Sequence, residues 1–98
     1  MPNVNKRRFK RINAQDEAAA LLEIRTGGAR SLPALVAAID VTYPELRREL
    51  LQNIVRGWSY ERIRVAQGYV PLNRADFYGC RRKAIAIYAQ IRRREEVP

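Results

Sequence analysis

The chain has 98 residues, 47% of them hydrophobic, a formal net charge of +9, one cysteine and no histidine. That length and apolar content suit one domain with its own core. With Cys80 alone and no histidine, a disulfide framework, a zinc site and a histidine-based catalytic triad are all excluded. No apolar run has the length of a membrane span, and no apolar stretch follows the basic N-terminus. A cytoplasmic protein with no signal peptide and no membrane partner is therefore expected.

Residues 1–12 show no helical or strand period and carry Lys6, Arg7, Arg8, Lys10 and Arg11 with no acid. They are read as a flexible basic arm, and residues 13–98 as one helical domain. A first helix is predicted from about Ala14 to Arg25. Asn13 caps it, Asp16 and Glu17 sit at its positive end, Ala18, Leu21 and Leu22 form its apolar face, and Thr26-Gly27-Gly28 stops it. Ser31 is read as the cap of a second helix, Leu32 to Ile39, with Pro33 in its first turn. Thr42-Tyr43-Pro44-Glu45 reads as a capping box opening a third helix, with Leu46, Leu50 and Ile54 along one edge and a stop at Gly57.

Ser59 caps a short fourth helix, about Tyr60 to Gln67, and Gly68 ends it. Asn73 caps the last helix, about Arg74 to Arg93, whose apolar stripe is Phe77, Cys80, Ala84, Ile87 and Ile91. No strand alternation, repeat or low-complexity segment is present. The fold class expected is all-α: a small bundle of about five helices ending in a helix-turn-helix at about 59–93, with a long C-terminal recognition helix.

The charge is unevenly placed. Residues 13–72 hold acids and bases in equal number, whereas residues 73–98 carry Arg74, Arg81, Arg82, Lys83, Arg92, Arg93 and Arg94 against Asp76, Glu95 and Glu96. Basic ends around a neutral middle are the footprint of a polyanion binder. Arginine outnumbers lysine sixteen to three, and the planar guanidinium suits paired hydrogen bonds to phosphate or guanine.

A short helix, a glycine-containing turn and a capped, arginine-rich second helix follow the order of a helix-turn-helix, although the turn from Gly68 to Asn73 is longer than in the basic motif. In that motif the second helix enters the major groove of double-stranded DNA. Asn73, Arg74, Ala75 and Tyr78, then Arg81 and Arg82, would face the groove, with Lys83 beside them. The helix N-terminus can hold a phosphate. The basic arm, Lys6 to Arg11, would reach the minor groove or phosphates.

Gly57-Trp58-Ser59-Tyr60-Glu61-Arg62-Ile63 resembles the opening of the motif in sigma-factor region 4 domains. Asn73 to Ala84, with an aromatic pair ahead of Arg81-Arg82-Lys83-Ala84, is similar to the second motif helix of those domains and of phage transcriptional activators of the RinA/ArpU type. The resemblance spans roughly residues 45–93. It implies a phage or phage-derived transcriptional regulator that contacts DNA through Asn73, Arg74, Tyr78, Arg81 and Arg82, with RNA polymerase as a further partner. Independently of the resemblance, a major-groove reader is commonly a homodimer on two half-sites.

Plainer readings stand beside these. Arg81-Arg82-Lys83 is also the pattern of a solvated helix face. Tyr78 either packs on the neighbouring helix or reaches the DNA backbone. Trp58, Phe77, Cys80 and Ile87 read as core, and Arg92-Arg93-Arg94 as a soluble helix end. Asp16, Glu17, Glu23, Asp40, Glu45, Glu49 and Glu61 lack a phosphate loop or metal-ligand spacing, so neither an enzyme nor a cofactor is expected. Two other functions fit the charge: a phage packaging or terminase-type DNA-recognition subunit, and an adaptor for an acidic protein partner. RNA is the alternative nucleic acid, ranked below DNA because no aromatic-rich sheet module is present.

Overall fold

The computed structural model describes residues 13–96. The arm residues Lys6, Arg7, Arg8, Lys10 and Arg11 lie outside them. Among the described residues the chain is all-helical: α1 (Ala14–Gly27), α2 (Leu32–Thr42), α3 (Arg47–Ile54), α4 (Tyr60–Gln67) and α5 (Arg74–Glu96), with 3₁₀ turns at Gly28–Arg30 and Pro44–Leu46. None of these helices is long and apolar enough to cross a membrane.

Three helix starts follow from their capping residues. Asn13 Oδ1 accepts from the Asp16 N–H at 2.8 Å, Ser59 Oγ from the Arg62 N–H at 3.1 Å, and Asn73 Oδ1 from the Asp76 N–H at 2.8 Å. Each satisfies one backbone donor that the first helical turn leaves without a partner. Gly68 ends α4 at φ 80, a left-handed conformation that glycine adopts without Cβ strain, and its N–H bonds the Arg64 carbonyl at 2.8 Å.

Two expected caps are absent. Thr42 opens no helix. It is the last residue of α2, and its hydroxyl donates back to the Ala38 carbonyl at 2.6 Å. A residue before proline is pushed out of the helical region, and Tyr43, at φ −156 and ψ 81, takes up the break ahead of Pro44. Ser31 precedes α2 but itself has helical backbone angles, so its hydroxyl does not cap. It is buried and donates instead to the Glu23 carbonyl at 3.3 Å.

The core gathers Leu35 and Ile39 of α2, Leu46, Leu50 and Ile54 around α3, Ile63 of α4, and Phe77, Ile85 and Tyr88 of α5. α5 is wider in its apolar reach than one stripe: Ala84 to Tyr88 are buried without interruption. A helix enclosed on all sides in its middle is the axis of a bundle, and α2 makes the most extensive interface with it, followed by α1. The face of α1 that reaches this core is Ala20 and Ile24 with Leu21 beside them; Leu22, expected inward, is 64% exposed.

Candidate nucleic-acid interface

α4 and the first turns of α5 are joined by an aromatic cluster. Tyr60, the first residue of α4, donates its hydroxyl to the Leu72 carbonyl in the connection at 2.6 Å, while its backbone N–H donates to the Tyr78 hydroxyl of α5 at 3.2 Å. The Tyr60 ring lies 5.5 Å from the Phe77 ring, and Phe77 meets Tyr78 edge to face at 5.6 Å. Val70 is buried beneath the long turn. The Gly68–Asn73 connection is therefore anchored at both a side chain and its backbone, despite its length.

This anchoring leaves Asn73, Arg74, Ala75 and Asp76 exposed at the start of α5, and Arg82 and Lys83 exposed two turns on. Arg74 pairs with Glu61 of α4 at 3.0 Å, and its guanidinium lies 5.3 Å from the centre of the Tyr78 ring. Both partners of that ion pair are mostly exposed, so solvent screens it and it holds Arg74 weakly. Asn73 presents its backbone, because its side chain is engaged as the cap. Tyr78 is half-buried and uses its hydroxyl inward.

Arg81 is placed differently from its neighbours. Its side chain is only 17% exposed and pairs with Glu17 of α1 at 3.1 Å, while its Nε is buried with no hydrogen-bond partner among the described residues. Arg92, expected in a soluble helix end, is half-buried and donates to Glu23 of α1 at 2.8 Å. Partners lying 64 and 69 residues away leave no local sequence signal for either contact. Of the predicted contact residues, the structure thus leaves Asn73 exposed at the cap and Arg74, Arg82 and Lys83 exposed along α5. Tyr78 and Arg81 are turned toward other helices.

A second basic group lies at the turn between α3 and α4. Arg56 and Arg62, both exposed, place their guanidiniums 5.9 and 4.3 Å from the centre of the half-buried Trp58 ring. Arg25 of α1 donates from Nε to the Ile54 carbonyl at the end of α3, at 3.1 Å. Gly57 sits among them at φ 74; a Cβ there would lie 3.7 Å from Arg25 Nη2. Tryptophan with arginine two residues before and four after it is the signal the sequence carries for this group.

Among the described residues, no group of three or more carboxylates or thiols is placed to hold a metal ion. Compared with known proteins, the chain matches no family model, no curated protein and no solved structure.

Proposed function

We propose that this chain is a sequence-specific binder of double-stranded DNA and a transcriptional regulator of the phage type its motif residues resemble. In this reading the first turns of α5 enter the major groove. One observation carries it. α5 begins with a capped, exposed turn held by the Tyr60–Phe77–Tyr78 cluster, and its next exposed side chains are Arg82 and Lys83. A helix N-terminus with cations two turns on favours phosphate and base-edge acceptors. A homodimer on two half-sites and contact with RNA polymerase are the partners this reading implies.

The test is selection of bound duplexes from a random pool, followed by affinity measurements on the enriched sequence. Enrichment of a defined site is expected. Arg82→Ala with Lys83→Ala should weaken binding to it at least several-fold while leaving thermal stability unchanged. Arg81 is left intact in that variant, since its ion pair to Glu17 couples it to folding. A pool that yields no consensus, or a double variant that binds as tightly as the parent, overturns the reading.

A further inference from the structure

The sequence places equal numbers of acids and bases in residues 13–72, but folding separates them. Three of the four ion pairs among the described residues join an acid of that stretch to an arginine of α5: Glu61 to Arg74, Glu17 to Arg81 and Glu23 to Arg92. Each pair cancels a cation of the basic C-terminal helix and removes a counter-charge from the middle of the chain. The remaining cations of the middle become unbalanced. Among the described residues, Arg30, Arg48 and Arg64 have no carboxylate within ion-pair distance, and neither do Arg25, Arg56 and Arg62, the three that share one place in the fold. These last three converge on the turn between α3 and α4.

We propose that Arg56 and Arg62, ordered on the Trp58 ring and flanked by Arg25, form a contact site for the phosphodiester backbone of nucleic acid. This rests on the reading of the chain as a DNA binder and adds a second surface to it. Cation–π contact holds both guanidiniums near one aromatic plane, which lowers the entropy lost when a phosphate binds. Arg25 is fixed by its bond to the Ile54 carbonyl. Each guanidinium retains N–H donors able to pair with two phosphate oxygens. Gly57 contributes no side chain at the centre, so backbone can approach closely. Glu61, next to Arg62 in the chain, holds Arg74, so this site adjoins the start of α5. A duplex seated on α5 therefore has a strand within reach of the turn.

Trp58 is the only tryptophan, so its emission reports on this site directly. The full chain is titrated with a random-sequence DNA duplex at several salt concentrations, following DNA anisotropy and Trp58 emission together. A saturable change in emission is expected, in step with anisotropy. Arg56→Gln with Arg62→Gln should lower affinity at least several-fold at low salt. The slope of log affinity against log salt should shrink by about 2, since each arginine neutralises one phosphate. Both side chains are exposed, so the variant's melting temperature should match the parent's. Binding by the parent with an unchanged slope in the variant, or with unchanged Trp58 emission at saturation, overturns the site and leaves DNA binding standing. No binding by the parent at low salt overturns both.

Discussion

Tyr88, buried in the middle of α5, donates its hydroxyl to Glu23 Oε1 of α1, the same oxygen that accepts from Arg92 Nε at 2.8 Å. One carboxylate thus fastens two positions of α5 to α1. The Tyr88 hydrogen bond, then the Arg92 hydrogen bond, hold the Glu23 carboxyl below its ordinary pKa against the opposing effect of burial. Burial, then the bond to Glu23, raises that of Tyr88.

Both shifts make stability depend on pH, with opposite signs. Glu23 binds its proton more readily unfolded than folded, so its contribution is complete above the ordinary carboxylate range and is lost as pH falls through the lowered folded value. Tyr88 contributes fully below the ordinary tyrosine range and loses that contribution as pH rises through its raised folded value. The melting temperature should hold a plateau at neutral pH and fall on both sides. Glu23→Gln should flatten the acid limb and Tyr88→Phe the alkaline limb. Melts across pH on the three proteins check this.

The aromatic cluster that joins α4 to α5 carries separable contributions. Tyr60→Phe keeps the ring against Phe77 but leaves the Leu72 carbonyl without its 2.6 Å bond, a loss of about 1–2 kcal/mol. Phe77→Ala opens a cavity in the fully buried core at a cost of about 3–5 kcal/mol. Urea denaturation read by circular dichroism should rank the two in that order.

Much of this arrangement is legible in the sequence. Asn13, Ser59 and Asn73 announce their helices because a cap acts on a backbone donor three residues away. α4 has the bounds its serine and glycine imply. Ser31 and Thr42 mislead for the same local reason reversed: a hydroxyl caps only from extended backbone, and whether the chain is extended there depends on its neighbours. Pro44 displaces the break to Tyr43, and the 3₁₀ turn before Ser31 keeps that residue helical. The candidate interface is half legible. Exposed Arg74, Arg82 and Lys83 follow from helical phase, but Arg81 and Arg92 find partners on a helix distant in sequence. The apparent charge balance of the middle cannot be resolved into space without those pairings.

Gly27 illustrates a contact that sequence reads only as a helix stop. Its backbone angles, φ −77 and ψ −21, suit any residue, yet an added Cβ would lie 2.3 Å from Ser31 Oγ. Gly27→Ala must therefore turn the Ser31 hydroxyl away from the Glu23 carbonyl. In a Ser31→Ala background that obstacle is gone and the helical preference of alanine over glycine, up to about 1 kcal/mol, is realised. A double-mutant cycle by thermal denaturation should give a coupling above about 0.5 kcal/mol.

Cys80 is half-buried, and burial is the first cause raising its thiol pKa, opposed by the charge of Lys83. The thiolate is the reactive form, so alkylation at neutral pH should be slower in the folded chain than in urea. Stopped-flow labelling with a thiol-specific chromophore measures both rates. Equal rates would place the sulfur in open solvent.

The 23 residues of α5 make a rod about 35 Å long at 1.5 Å per residue. α4 holds its first turns through aromatic rings and α2 packs along its buried middle, whereas α1 brings Ala20 and Ile24 and relies on Glu17 and Glu23. These grips differ in kind, so they should release at different free energies. Amide hydrogens of α1 are expected to exchange through a partial opening that Glu23→Gln makes easier by removing one of its two ion pairs to α5. Those of residues 84–88 should exchange only when the whole chain unfolds. Detachment of α1 would free Arg81 while leaving the aromatic mount of α5 in place, giving the protein a flank that can open on its own.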